Sequence, residues 1–156
     1  MIYQKSITTP KDTPVLTPVS EVMEVNKGLI YQVDIIIPAG CVGLAGVRLL
    51  DGLYQVYPTT PNTWFVGDNI HMSFQDTYLK TDVPHQLTVQ TYNLDDTYEH
   101  TLTVIISMVI KEIFMARFLP SYSMDEMIKA IELLTKVQDI DKQQVIEDAI
   151  SWAREN

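Results

Sequence analysis

The chain has 156 residues, which is enough for one well-buried domain with a small appendage. Hydrophobic residues make up 46% and charged residues 20%, a composition typical of globular proteins and not of disordered chains. Acidic residues outnumber basic ones by 20 to 11, and residues 1–110 contain only five basic residues, so the lysine and arginine cluster that would neutralise a phosphate backbone is missing there. No nucleic-acid partner is therefore expected.

Residues 1–18 are predicted to form an extended arm. Thr-Pro occurs three times at a spacing of four, with the prolines at Pro10, Pro14 and Pro18. Proline fixes its own φ and holds the preceding residue in extended geometry, so a helix is excluded here. We expect the arm to lie along a neighbouring subunit, with these prolines at the interface.

Residues 19–111 are predicted to form an antiparallel β-sandwich of the jelly-roll kind. The segment Leu29–Ile37 alternates, with Leu29, Tyr31 and Val33 on the same face as Ile35 and Ile37. Asp-Gly at Asp51–Gly52 indicates a hairpin turn. Seven or eight short strands separated by turns, without a helix between them, indicate a mainly β fold.

Residues 112–156 are predicted to form a helical hairpin. Ser123 and Glu126 form a capping box, and apolar residues then recur at helical spacing. A second amphipathic pattern begins at Asp141 and includes Trp152, which is expected to contact another subunit or to cover the sandwich.

The single cysteine, Cys41, rules out an intrachain disulfide, and its small and apolar neighbours indicate a buried, inert thiol. The first ten residues lack the layout of a signal peptide, and the longest apolar run is far shorter than the roughly 20 residues that span a bilayer. The expectation is a protein made in the cytoplasm, without membrane insertion.

The tripeptide Asp-Thr-Tyr occurs twice, beginning at Asp76 and at Asp96. Aspartate and threonine side chains cap turns, so the favoured interpretation is structural. Calcium is the alternative, because carboxylates suit this ion. Its ligands would be Asp95, Asp96 and Glu99, joined by Asp51, Asp68 or Asp76. The spacing does not match an EF-hand loop. A glycoside-hydrolase pair at Asp96 and Glu99 is a third, weaker reading.

Catalytic motifs are absent from the sequence. The three histidines, His71, His85 and His100, lie in separate segments, and no nucleophile elbow, P-loop or dinucleotide glycine pattern occurs. We therefore predict a protein that is not an enzyme, with no catalytic residues and no cofactor.

Aromatic residues at Tyr54, Tyr57 and Trp64 provide the main alternative function. Exposed tryptophan and tyrosine rings on a sandwich can stack on sugars, which predicts a carbohydrate- or ligand-binding module, with calcium as a stabilising ion. The competing interpretation is that Trp64 closes one end of the sandwich.

Four segments resemble the framework of small β-sandwich structural proteins from tailed-phage gene clusters. They are "IPAG" (Ile37–Gly40), "YP" (Tyr57–Pro58), "WFVGD" (Trp64–Asp68) and "YNLDDTYEHT" (Tyr92–Thr101), and the likeness covers about Leu29–Met108. The resemblance implies a virion component of the head, neck or tail that contacts copies of itself and neighbouring structural proteins. The first functional hypothesis is accordingly a non-enzymatic structural protein that forms a homo-oligomer.

Overall fold

The computed structural model describes residues 1–110, 113, 124–126, 128 and 129. The chain divides into two compact units, Met1–Lys111 and Glu112–Asn156. The first unit consists of strands. They are β1 (Ile2–Thr9), β2 (Val19–Glu24), β3 (Gly28–Ile37), β4 (Ala45–Asp51), β5 (Tyr54–Tyr57), β6 (Phe65–Val66), β7 (Ile70–Lys80), β8 (Gln86–Asn93) and β9 (His100–Val109).

The strands form two antiparallel sheets, as the sequence predicts. The first sheet has the order β1-β9-β3-β7, and the second has the order β2-β8-β4-β5, with the short β6 also paired to β4. Buried residues of both sheets make one core, which includes Ile35 and Val104 from the first sheet and Val47 and Leu87 from the second. The arrangement is therefore sandwich-like, and alternation of apolar residues explains it because each sheet buries one face.

The alternation predicted for β3 is interrupted at Tyr31. Ile30 pairs with Met108 of β9, whereas Gln32 pairs with Ser107, so Tyr31 is an extra residue in β3. An extra residue reverses the side-chain alternation beyond it. Ile30 is consequently fully buried and Tyr31 only partly so, contrary to the sequence pattern. Val33, Ile35 and Ile37 point into the core as predicted.

The predicted hairpin at Asp51–Gly52 is confirmed, since β4 ends at Asp51 and β5 begins at Tyr54. Gly52 has a φ of 59°, a left-handed conformation that glycine adopts without strain.

The prediction of a separate arm over residues 1–18 needs correction. Its first half is β1, which pairs with β9 from Ile2 to Thr9, and Ile7 and Thr9 are fully buried. The remainder crosses to the second sheet, where a Thr13–Asn93 bridge holds it. Proline spacing showed that the segment is extended, but extended geometry is also that of a sheet strand, and tertiary pairing decides between them.

The predicted helical hairpin of residues 112–156, with Trp152, lies outside the described residues except at positions 113, 124–126, 128 and 129, which are helical. Within the part of the chain that the structure describes, none of the helices has the length and hydropathy needed to cross a membrane.

Candidate functional site at the open edge

The two sheets leave a cleft at one side, where β7 ends the first sheet and β5 and β6 border the second. We call this side the open edge. The cleft has a volume of about 320 Å³. Its lining residues are Tyr57, Pro58, Thr59, Phe65, Phe74, Gln75 and Asp76. Among them, β7 supplies one aromatic side chain, Phe74, and two polar residues, Gln75 and Asp76.

Aromatic rings form the apolar part of the cleft. The ring of Phe74 meets Tyr57 edge-on at 5.7 Å between centroids and lies 5.5 Å from Phe65. Tyr78 meets Tyr57 edge-on at 6.3 Å, on the side of the cluster towards the end of β7. Such edge-to-face contacts are favourable because the positive rim of one ring faces the negative face of the other. The cleft wall is thus a packed cluster and not a set of loose side chains.

Tyr57 brings an unsatisfied polar group to this cluster. The residue is buried, with only 2% of its surface exposed, and its hydroxyl makes no hydrogen bond of good geometry with the described residues, although the Asp76 side chain lies close enough to interact with it. Burial raises the pKa of Tyr57, and the nearby Asp76 carboxylate raises it further. The phenol therefore remains neutral at physiological pH, because burial disfavours the phenolate.

A charged cluster closes one end of the open edge. Lys80, at the end of β7, is 2% exposed, and its Nζ lies 2.5 Å from Oδ1 of Asp51 in β4. The hydroxyl of Tyr78 donates to Oδ2 of the same carboxylate at 2.9 Å. Both carboxylate oxygens of Asp51 therefore join β7 to the opposite sheet. Burial, followed by this bond to Asp51, raises the pKa of Tyr78.

The backbone of β7 has no strand partner on its outer side among the described residues. Within the strand, the backbone N–H of Thr77 donates to Oδ1 of the neighbouring Asp76 at 2.7 Å. Ile70, Met72 and Phe74 alternate in the sequence, which predicts that all three point into the core. Ile70 is exposed instead, and Met72 and Phe74 are only partly buried. An outer strand lacks a neighbour on one side, which explains the partial exposure.

The three aromatic residues of the ligand-binding hypothesis do not form one platform. Tyr54 is exposed and Tyr57 is buried in the cleft wall. Trp64 packs edge-on against Tyr92 at 4.9 Å and lies under the Arg48 guanidinium, 4.2 Å from its ring centroid. The three side chains are thus held in separate environments, and only Tyr57 contributes to the cleft.

Gly46 makes the Trp64 contact possible. A Cβ at this position would lie 2.5 Å from Cε1 of Tyr92, far inside contact distance, so glycine is needed for the tyrosine ring to lie across β4. Arg48 is held further by Gln90, whose Oε1 accepts from its Nε at 2.8 Å. Because Arg48 covers the ring and Tyr92 supports it, we interpret Trp64 as a packed residue and not as a free stacking surface.

The carboxylates proposed for calcium have partners within the protein. Oδ1 of Asp95 accepts the N–H groups of Thr97 and Tyr98 at 2.7 and 3.0 Å, and Oδ2 lies 3.0 Å from Nε2 of His100. The two backbone bonds and then His100 lower the pKa of Asp95. Asp96 and Glu99 are exposed. The turn is therefore capped by Asp95, the residue before the tripeptide, and not by Asp96 and Thr97, whose side chains bond to each other. A turn is present at this copy as predicted, but Tyr98 lies outside a strand, since β9 begins at His100.

The other copy, Asp76–Tyr78, lies within β7 and does not form a turn, so that part of the prediction is wrong. Of the further calcium candidates, Asp51 binds Lys80, and Oδ1 of Asp68 accepts the N–H groups of Gly40 and Val42. Across the described ranges, no group of three or more histidine, cysteine, aspartate or glutamate side chains is placed to hold a metal ion.

His71 and Asp34 form a second polar cluster, on the outer face of the first sheet. Nε2 of His71 lies 3.1 Å from Oδ1 of Asp34, and Gln32 donates to Oδ2 at 3.0 Å. Burial raises the pKa of Asp34, but hydrogen bonds from Ser73, His71 and Gln32 together lower it below its ordinary value. Ser73 and His71 thus share one carboxylate, which is not the nucleophile–base–acid order of a hydrolytic triad.

The remaining predicted positions are spread over the unit. Pro10 and Pro14 are exposed and Pro18 is half-buried, all in the crossover between β1 and β2. Cys41 is fully buried, as predicted, and burial raises the pKa of its thiol.

Sequence reasoning missed the cleft itself. Phe65 and Phe74 lie on different strands, and Lys80 reads as an ordinary charged strand end. The spacing of residues within one segment carries no signal for contacts between β7 and the opposite sheet.

A search against known protein families finds no family model that matches the chain, and a search of curated proteins finds no significant match.

Proposed function

We propose that this protein is a non-enzymatic structural protein that self-associates through the open edge of its two-sheet unit and serves as a component of a virion head, neck or tail. The observation that carries the self-association is the long outer strand β7, which has no strand partner on one side among the described residues. The virion role rests on the sequence resemblance over Leu29–Met108.

We infer further that the two sheets form a jelly roll. Leaving aside the two-residue β6, the order β1-β9-β3-β7 over β2-β8-β4-β5 supports this fold, because consecutive strands change sheet at every step except the β4–β5 hairpin, as in two Greek keys. Double-sheet jelly rolls recur in viral capsid and lectin domains. The inferred fold is therefore compatible with an assembly role and also with glycan binding. The choice between these two functions depends on whether the outer strands of the sheets are protected from pairing with another strand.

Proteins protect outer strands by keeping them short, by placing charges on them or by covering them. In the second sheet, the outer strand β5 is short, with four residues, and the outer strand β2 carries two charged residues, Glu21 and Glu24. In the first sheet, β1 carries Lys5, which forms an ion pair with Glu21.

The outer strand β7 differs from these three. It has eleven residues, and its only lysine, Lys80, is turned inward towards Asp51. Apart from His71, which lies against Asp34, its only exposed ionisable residue is Asp76. A long outer strand with so little charge favours addition of another strand, which supports association over a solitary role.

The arm does not contribute to this proposal, since its first half, β1, pairs with β9 in the first sheet of the same chain. Self-association is therefore assigned to β7 and not to Pro10, Pro14 and Pro18.

The first experiment is the mass of the full-length protein in solution, by light scattering after size exclusion over a hundredfold range of concentration. A defined oligomer whose population rises with concentration is expected. A monomer at every concentration would contradict the self-association.

The virion role is tested by co-expression with the proteins encoded beside its gene. We expect the chain to co-purify in a particle of fixed composition. Elution of the chain alone, with those proteins present and folded, would contradict this role.

The cleft supports a second candidate, a carbohydrate- or ligand-binding module. Its volume of about 320 Å³ is at the lower end of the range typical of small-molecule sites, and aromatic walls with a few polar groups suit a sugar ring. Titration with monosaccharides, followed by amide chemical shifts, is expected to move the signals of Gln75 and Asp76 if this function is correct. Shifts confined to other regions, or none, would dismiss it.

A further inference from the structure

The sequence of β7 is compatible with pairing to a second copy of itself. In an antiparallel pair, directly opposed residues point to the same face of the sheet. When a strand pairs with its own copy in one continuous sheet, two opposed residues must therefore both have odd numbers or both have even numbers. Such registers have one residue opposite itself on a twofold axis. For the eleven residues from Ile70 to Lys80, the register with Gln75 on the axis is the one that sets every residue opposite another. The pairing of β7 with β3 shifts register at Asp76 and Thr77, so these two residues form an irregularity beside that axis.

We infer that β7 pairs antiparallel with β7 of a second copy of this chain about a twofold axis at Gln75, which joins the two first sheets into one continuous sheet. This inference rests on the proposed self-association and names its surface. Twofold contacts of this kind are isologous, with the same patch used by both copies. Closed dimers follow, which leaves no free β7 edge for open-ended growth.

Charge supports this register over its neighbours. With Gln75 on the axis, Asp76 lies opposite Phe74 of the second copy, and Lys80 lies opposite Ile70. A shift that places Asp76 on the axis opposes two carboxylates directly, which is destabilising. A shift that places Phe74 on the axis leaves Tyr78 as the last paired residue and shortens the ladder. The centred register therefore combines full length with no directly opposed like charges.

Pairing would also cover the partly exposed side of the aromatic cluster. Met72 and Phe74 are the inward residues of β7 that lack a lateral neighbour. In the centred register, Met72 lies opposite Tyr78 of the second copy, so the open edge of each copy gains an aromatic neighbour. The two Asp76 side chains lie on the diagonal across the axis, where their repulsion is weaker than between opposed positions.

Cysteine cross-linking tests the register directly. Cys41 is the one native cysteine and is fully buried, so an introduced cysteine supplies the accessible thiol. Directly opposed residues bring their Cβ atoms close enough for a disulfide. Gln75→Cys is therefore expected to form a covalent dimer under mild oxidation. Ser73→Cys alone is expected to remain monomeric on a denaturing gel, whereas Ser73→Cys with Thr77→Cys forms the dimer, because Ser73 lies opposite Thr77 in this register.

A charge variant gives a second measurement. Gln75→Lys places two lysines opposite each other on the axis and is expected to weaken association by about fivefold. Its matched control is Gln4→Lys, the same change at an exposed position of β1 on the other side of the first sheet. Asp76→Asn is expected to tighten association, since it removes the diagonal repulsion. All three positions are exposed, so an unchanged melting curve verifies the fold of each variant.

The outcomes separate this inference from the function it rests on. A concentration-dependent oligomer that is insensitive to Gln75→Lys and gives no Gln75→Cys cross-link overturns the β7 pairing while leaving self-association in place. A protein that is monomeric at every concentration overturns both. Cross-linking of Ser73→Cys alone overturns the register.

Discussion

The two sides of the sheet pair are constructed differently. On one side, which we call the closed edge, β1 of the first sheet meets β2 and β8 of the second. There Lys5 binds Glu21 at 2.7 Å, and Oγ1 of Thr9 donates to Oγ1 of Thr91 at 2.6 Å in a buried contact. Asn93 adds a bond to the Thr9 carbonyl and pairs through its backbone with Thr13. Bonds between the sheets thus follow much of this side.

On the open edge, bonds between the sheets are concentrated at Asp51, which binds Lys80 and Tyr78 at the end of β7. Further along β7 the contact with the opposite sheet is aromatic, through Phe74 against Tyr57 and Phe65, and it borders the cleft. The closed edge thus depends on many local bonds, whereas the open edge depends on one buried cluster, and β7 has no outer strand partner among the described residues. Five variants test this contrast.

Deletion of residues 1–9 should have the largest effect. It removes β1 with the buried residues Ile7 and Thr9, and it uncovers β9, so we expect loss of the cooperative thermal transition. Truncating Ile7 alone to alanine is expected to cost about 2–4 kcal/mol. Near-ultraviolet circular dichroism during heating is the measurement. A retained sharp transition in the deletion variant would show that β1 is the dispensable arm that the proline pattern indicates.

Asp51→Asn tests the cluster that closes the open edge. The change leaves the buried Lys80 without its carboxylate, and loss of one partner of a buried ion pair typically costs about 3 kcal/mol. Urea unfolding at neutral pH measures the change in the free energy of unfolding. The double variant Asp51→Leu with Lys80→Met should recover most of the loss, because it removes both charges. A single variant as stable as the native protein would mean that Lys80 reaches solvent.

Asp95→Asn tests the closed edge through pH. The pKa of Asp95 is lowered in the folded protein from its ordinary value of 3.8, so its stabilising effect is complete above that pH and is lost as the pH falls through the folded pKa. The variant should therefore be less stable than the native protein at pH 7, with a difference that shrinks below pH 3.8. The pKa of Asp34 is also lowered in the folded protein, so Asp34 contributes to the loss of stability in acid equally in the native protein and in the variant.

The matched control for this variant is Asp96→Asn, the same change at the next position, whose side chain is exposed. Urea midpoints measured from pH 2.5 to pH 7 should separate the two variants. Equal pH profiles for both would contradict the role of Asp95 as a cap.

Tyr57→Phe tests the unsatisfied hydroxyl in the cleft wall. The hydroxyl is buried without a hydrogen bond, and such a group costs about 1 kcal/mol or more. The variant should be as stable as the native protein or more stable by about 1 kcal/mol, as measured by urea unfolding. Tyr78→Phe is the control, since its hydroxyl donates to Asp51 and its removal should destabilise. Destabilisation by Tyr57→Phe would reveal a partner for its hydroxyl.

Lys5→Met should have the smallest effect. Its ion pair with Glu21 is partly exposed, and exposed pairs contribute about 0.5 kcal/mol or less. Comparison of its unfolding free energy with that of Asp51→Asn would therefore rank the two edges. A loss of similar size in both variants would remove the distinction between a closed edge made of many weak bonds and an open edge made of one strong cluster.

Much of the strand content follows from the sequence because each strand carries its own alternation. Leu87, Val89 and Thr91 point inward as their spacing predicts, and Asp51–Gly52 forms the predicted turn. Where local and tertiary requirements diverge, the prediction is wrong. The extra residue at Tyr31 moves Ile30 into the core, and the Asp-Thr-Tyr at Asp76 continues a strand instead of turning.

The sequence by itself determined that the chain is mainly β, acidic and without a nucleic-acid-binding charge cluster, because composition and period-two alternation are local properties. Only the tertiary structure decided that residues 2–9 belong to a sheet, that Lys80 lies buried against Asp51, and that β7 borders a cleft. Each of these depends on which strands become neighbours. Strand order is fixed by contacts between residues far apart in the chain, and such contacts leave no periodic trace in any one segment.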